Sequence, residues 1–186
     1  SILTTHKMQL MTTFGLLMSG FMLLVSHLGE MDPSITPRMP VLNSPLLSIH
    51  VSIIMISYAL FSLTFISAIA YFFTNKSKKA SIIQINKQLT TLSQIFLYPA
   101  ITTLGLGIFI GAIWANISWG TYWGWDPKET WALITFMIYA IPLHKASLQS
   151  LRSEKKYHIF MFIAFLSILM TYFGVNYILG GMHSYA

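Results

Sequence analysis

The sequence predicts an all-α protein, a polytopic bundle of about five transmembrane helices with an outward-facing tryptophan-rich loop, and three observations lead there. Hydrophobic residues fill 55% of the 186 positions and charged residues only 9%, too few to solvate the surface of a water-soluble domain. Apolar runs of roughly 18 or more residues, the length that crosses a ~30 Å hydrocarbon core, recur at about 8–26, 46–73, 96–118, 130–149 and 158–180. Placing successive loops on alternate sides gathers Lys7, Lys76, Lys78, Lys79, Lys87, Lys145, Arg152, Lys155 and Lys156 on one side and leaves Arg38 and Lys128 on the other. By the positive-inside rule the lysine-rich side is cytoplasmic or stromal.

The net charge of +6 therefore reads as topology and attraction to membrane lipid, with no nucleic-acid role. The chain has no cysteine, so any thiol chemistry belongs to a partner. Its opening, Ser1-Ile-Leu-Thr-Thr-His-Lys7, lacks a signal-peptide pattern and reads as the start of a piece of a longer polypeptide, with further helices expected before it. Two regions are expected. Residues 1–40 hold a first transmembrane helix and an outer loop, and residues 41–186 form the main membrane domain, with the tryptophan loop at about 115–131.

After the first span, Ser44-Pro45 has the form of an N-cap followed by a first-turn proline, which starts the second helix on the outer side. This places His50 less than two turns inside it. The run 46–73 would be ~42 Å long at ~1.5 Å per residue, so it must tilt or protrude. Next, Ile82, Ile85, Leu89, Leu92 and Phe96 recur at helical spacing around Lys87 and Gln88, which suggests an amphipathic helix lying in the interface ahead of the third span, with a connector without function as the simpler reading. Asp126-Pro127-Lys128-Glu129 then repeats the capping device in fuller form, with Glu129 placed to reach back, and opens the fourth span. Pro142 is expected to free the carbonyl of Ile138 and kink that helix. In the fifth span Asn176 is a candidate for bonding a neighbouring helix or lining a site.

Four of the five tryptophans, Trp119, Trp123, Trp125 and Trp131, fall in one short stretch together with Gly120 and Gly124. Large flat side chains beside glycines that let the backbone pass close suit a broad planar apolar ligand, porphyrin foremost. Belt residues that anchor spans at the headgroups are usually dispersed over several helix ends, so the clustering argues against that simpler reading. His50 and His183, on different helices, fall at the level of this loop. Neutral imidazole ligates haem iron, and two rings converging on opposite faces would hold it.

His144, well inside the fourth span, has two equal readings: a ligand within the membrane, or a side chain reaching the inner headgroups beside Lys145. His6, His27 and His158 read as interfacial. Capping alone accounts for Asp126. Met182, beside His183, is a softer alternative ligand that the histidine pair makes unnecessary.

These residues resemble a known family. Trp119-Gly-Thr-Tyr-Trp-Gly-Trp-Asp126 with its continuation to Trp131, the upstream Leu42-Asn-Ser-Pro-Leu-Leu-Ser-Ile-His50, and the closing Gly174-Val-Asn-Tyr-Ile-Leu-Gly-Gly-Met-His183-Ser-Tyr-Ala are similar to the haem-handling membrane proteins of cytochrome c maturation. Within these the resemblance is to the CcsA or ResC type of the system II pathway, alone or as the C-terminal part of a fused CcsBA protein. It covers the chain from about residue 40 to its end.

The resemblance implies haem b as cargo and ligand. It makes His50 and His183 the external axial ligands, the tryptophan stretch with Gly120, Gly124 and Asp126 the haem platform, and His144 a transmembrane haem ligand whose usual partner in an earlier helix has no equivalent here. The implied partners are the Cys-x-x-Cys-His segment of apocytochrome c and a CcsB- or ResB-like protein or N-terminal region. Together they would act as a holocytochrome c synthase, with no side-chain nucleophile from this chain. The implied location is the bacterial inner membrane or the thylakoid membrane. Three alternatives remain: the system I haem-delivery protein of the same superfamily, a cytochrome b-like electron-transfer subunit, and a transporter of some other flat ligand.

Overall fold

A computed structural model describes residues 12, 13, 15, 16, 19, 20, 44–75, 79–145 and 147–179, with the side chains of 176 and 177 left out. The chain divides into two units, Ser1–Met39 and Pro40–Ala186. In the first, the six described residues are helical, and most of the predicted first span lies outside the described residues, as do His6 and His27.

The second unit is a helical bundle. Helix α1 runs Pro45–Thr74, α2 Ala80–Trp119, α3 Pro127–Ala140 and α4 Glu154–Leu169, with short 3-10 segments at Ile141–His144 and Gln149–Arg152 and a π-helix at Met170–Leu179. Among the described residues, three helical stretches are long and apolar enough to cross a membrane: α1, α2 and the continuous segment Glu154–Val175. The chain is an integral membrane protein, and the described residues contain no strand.

Helices α1 and α2 pack along each other more extensively than any other pair. Two glycines one turn apart, Gly107 and Gly111, make this possible. A methyl carbon at Gly107 would stand 2.5 Å from Ile54 Cδ1, and one at Gly111 would stand 2.6 Å from the His50 ring. Small residues at this spacing bring backbones close where no water is present to drive association.

Serine and threonine hydroxyls complete the packing. Ser57 donates across the interface to Ala100 O at 2.8 Å, next to Pro99, which sits inside α2. Ser62, Thr64 and Ser67 donate back to carbonyls of their own helix, so each buried hydroxyl is satisfied. Stacked rings then join α1 to the other helices: Phe61 on Tyr139 of α3, with centroids 3.9 Å apart, and Phe65 on Phe165 of α4, at 4.2 Å.

Three expectations are corrected. The predicted interfacial helix is the first part of α2, a single helix of 40 residues. No glycine or proline interrupts Ala80–Tyr98, and the face carrying Asn86, Leu89, Thr90, Ser93 and Leu97 is buried, so it is a packing surface. The fourth span does not run as one α-helix to 149: α3 ends at Ala140, and Ile141 N bonds to Ile138 O as the chain tightens through Pro142. The carbonyl that proline would orphan is thereby taken by a nearer donor, and 14 α-helical plus four 3-10 residues still rise ~29 Å.

The third correction concerns His158, which is fully buried. Its ring stacks on Tyr71 with centroids 4.3 Å apart, and its Nε2 lies 3.0 Å from Thr90 Oγ1. It joins α1, α2 and α4 as a buried packing residue inside the bundle.

Candidate functional site

A cavity of about 260 Å³ opens between the N-terminal end of α1, the C-terminal end of α2 and the start of α3. Leu47, His50, Val51, Ile54, Met55 and Tyr58 line it from α1, and Ile108, Gly111, Ala112 and Trp114 from α2. Tyr122 and Trp123 close it from the loop, Lys128, Glu129 and Ala132 from α3, and Thr171 and Tyr172 from the π-helix. The wall is chiefly apolar and aromatic with a few convergent polar groups, the usual make-up of a small-molecule site.

His50 is held by α2. Its Nδ1 lies 2.8 Å from Gly107 O. A carbonyl only accepts, so Nδ1 carries the proton and Nε2 the lone pair. Metal-binding histidines are commonly oriented in this way, through a carbonyl behind the ring. Gly111 leaves the space that the His50 ring fills, and any side chain there would collide with it.

The tryptophan loop is built by its two ends. Gly120 ends α2 in the left-handed conformation at φ 78°, its N–H bonding to Asn116 O, and turns the chain out of the helix. At the other end Asp126 caps α3. Its Oδ1 accepts from Lys128 N at 2.9 Å, and Glu129 Oε2 accepts from Asp126 N at 3.2 Å and Gly124 N at 2.9 Å. The capping box anticipated from sequence is therefore present. Trp125 is held at φ 55°, a conformation rare outside glycine, and the residue is 72% exposed. Ser44, by contrast, precedes Pro45 without a side-chain cap bond.

The four clustered tryptophans do not form one surface. Trp123 lines the His50 cavity and meets Trp125 edge-on, with centroids 5.9 Å apart. Trp119 packs edge-on against Trp114 at 4.8 Å, behind the wall. Trp131 faces a separate apolar groove with Ile138, Phe160 and Met170. Trp114, the tryptophan outside the cluster, is nearly inaccessible and is one of the two indoles lining the cavity. Sequence reasoning missed it because it sits alone within a span. The usable signal was its position three residues past Gly111.

His183 lies outside the described residues, so the predicted ligand pair is represented by His50 alone. His144 ends the 3-10 segment, exposed, with Nδ1 donating to Ala140 O at 3.2 Å, beside Lys145, whose amine sits over the Tyr157 ring. No cluster of three or more metal-ligating side chains occurs among the described residues. Lys128 is part-buried, and burial holds its amine below the usual lysine range, opposed by the nearby Asp126 carboxylate.

Fold and cavity together define a class: a helical membrane protein with one carbonyl-oriented histidine facing an indole-lined cavity at one end of its bundle. The chain belongs to the cytochrome c assembly protein family, whose profile matches residues 3–183. Protein NrfI of Wolinella succinogenes is 42% identical over 174 residues, covering 92% of this chain and 19% of the relative. The cytochrome c biogenesis protein CcsA of Chlamydomonas reinhardtii is 38% identical over 153 residues, covering 81% and 43%. CcsA of Mesostigma viride is 35% identical over 177 residues, covering 81% and 58%. The chain thus spans less than two thirds of the length of each of these relatives.

Proposed function

We propose that this chain receives haem b, holds it at the outer membrane face and presents it for covalent attachment to apocytochrome c. The observation that carries the reading is the His50 imidazole, oriented by Gly107 O through Nδ1, in a cavity faced by Trp114 and Trp123. His183 supplies the second axial imidazole. Trp119 backs Trp114 and Trp125 meets Trp123 edge-on, so these two support the platform from behind, while Gly120, Gly124 and Asp126 shape its backbone; Trp131, in a separate groove, is left out of it.

Attachment requires placement only. Each thioether forms when a cysteine S–H of the Cys-x-x-Cys-His segment adds across a haem vinyl double bond: sulfur bonds one carbon, hydrogen the other, and nothing leaves. The protein contributes proximity and orientation. Release follows when the histidine of the apocytochrome segment replaces one of the two axial imidazoles.

A CcsB-like protein, or a further region of the same polypeptide, completes the synthase. The membrane is the bacterial inner membrane or its thylakoid counterpart, with the lysine-rich loops inside. His144 is proposed to meet haem at the inner end of its route. A cytochrome b-like role would require ligand pairs inside the bundle, and the one described histidine that is fully buried, His158, has its Nε2 bonded to Thr90.

The test is made in cells whose only copy of the protein carries His50→Ala. Covalent haem in c-type cytochromes falls to a small fraction of wild type while the variant protein still reaches the membrane. Undiminished covalent haem rejects the reading.

A further inference from the structure

Thr171 joins three helical segments beside the cavity. It is the second residue of the π-helix, almost fully buried, and lines the cavity together with its neighbour Tyr172. Its Oγ1 donates to Ser167 O at 2.7 Å, in the last turn of α4, and lies 3.1 Å from Thr135 Oγ1 and 3.3 Å from Trp131 O, both on α3. A hydroxyl has one proton and two lone pairs. The short contact to Ser167 O takes the proton of Thr171, so the buried Thr135 hydroxyl donates to Thr171. Trp131 and Thr135 bound one turn of α3, and Ala132, within that turn, lines the cavity as well. From α1, Tyr58 is hydrogen-bonded to Thr171 and borders the same space.

Hydroxyl bonds between membrane helices contribute little to stability, but they are directional and fix one helix against another. The hydroxyls of Ser62, Thr64 and Ser67 turn back to their own helix and fix nothing across an interface. Thr171 differs, and it does so where the chain changes from α to π, a change often found at functional sites. We propose that Thr135 and Thr171 are positioning residues for the bound ligand: their paired hydroxyls fix the π-helix against α3, and with it the place of Tyr172 in the cavity wall. The inference rests on the haem reading above and extends it from the iron to the wall that receives the ring. Neither hydroxyl takes part in the chemistry, and both act through the wall they hold in place.

Thr171→Val keeps the shape of the side chain and removes its hydroxyl without stranding a buried group. Ser167 O keeps the N–H of Met170, Thr135 can turn to Trp131 O one turn back on its own helix, and Tyr58 borders the cavity, where water can reach it. The test uses the full chain in nanodiscs with haemin as the probe. Affinity and the Soret circular dichroism of the bound form, which reports aromatic rings near the porphyrin, are measured for wild type, Thr171→Ser, Thr171→Val, Thr135→Val and the double valine variant. Each single valine variant weakens binding by about fivefold and alters the Soret dichroism. Thr171→Ser, which keeps the hydroxyl, stays within about twofold of wild type in affinity with its dichroism unchanged. The double variant is no more than about twofold weaker than either single one, because the same contact is lost in all three. Wild-type affinity and dichroism in the valine variants, or losses that multiply in the double variant, overturn the proposal while leaving the haem reading intact. If Thr171→Val fails to assemble, Thr135→Val, in which Thr171 keeps Ser167 O, decides the matter alone. Failure of wild type to bind haemin overturns both.

Discussion

The Nδ1 of His50 lies 2.8 Å from the carbonyl oxygen of Gly107, a bond that crosses from α1 to α2 and settles which ring nitrogen holds the proton. One turn further along α2, Gly111 faces the same ring, and a methyl carbon there would stand 2.6 Å from Cε1 and 2.8 Å from Nδ1. The imidazole is therefore bonded by one glycine and accommodated by the next.

Gly111→Ala is expected to push the His50 ring off its carbonyl and lower haem affinity at least about tenfold. The sharper readout is rescue. Exogenous imidazole restores the haem spectrum of His50→Gly, where space has been vacated, but not that of Gly111→Ala, where the displaced ring still occupies it. Equal rescue of both variants contradicts the cradle.

Asp126 acts through its cap. Asp126→Asn keeps an N-cap oxygen and is expected to bind haem like wild type, whereas Asp126→Ala costs about 1 kcal/mol of stability in chemical unfolding. Haem affinity lost equally in both variants would instead assign the Asp126 charge a direct part in binding.

Glu129 carries more of the loop than a cap alone requires, because it also holds Gly124 N, between Trp123 and Trp125. Glu129→Ala is expected to raise tryptophan mobility, measured by fluorescence anisotropy, and to weaken haem binding, while Glu129→Gln, which retains an acceptor, changes both less. Unchanged anisotropy in Glu129→Ala would show the loop to be held elsewhere.

His158 is expected to serve stability. Its Nε2 bonds the Thr90 hydroxyl, which in turn donates to Asn86 O, so the ring donates through Nε2–H and its buried Nδ1 has no partner among the described residues. His158→Ala removes a stacked, fully buried ring and should cost about 3 kcal/mol in detergent unfolding, with no change in the haem spectrum. His158→Phe, which preserves the stack on Tyr71, should cost less. A spectral change in either variant would place His158 on the path of haem.

Hydropathy made most of the fold legible. The second span was expected at 46–73 and is found at Pro45–Thr74, and the Asp126-Pro127 start of α3 followed from side-chain chemistry alone. Features that depend on tertiary packing were not legible. The apolar stripe Ile82, Ile85, Leu89, Leu92 and Phe96 shares only Leu89 with the buried face of Asn86, Leu89, Thr90, Ser93 and Leu97, so hydrophobic periodicity pointed to the wrong face of the first half of α2. The burial of His158 was likewise not legible. Of the residues lining the cavity, His50 and Trp123 were singled out by side-chain type, whereas the group that orients His50 is a backbone carbonyl and carries no residue signature. Gly107-Ile-Phe-Ile-Gly111 was the visible trace of the close approach, four residues apart on one helix face.

The central claim, that His50 and His183 are the two axial ligands of one haem, is tested most directly by the absorption spectrum of the purified, haem-supplied protein beside its His50→Ala and His183→Ala variants. The account predicts a low-spin, six-coordinate spectrum for wild type, its loss in each variant, and its return when imidazole is added to either. Identical haem spectra in all three proteins would contradict it.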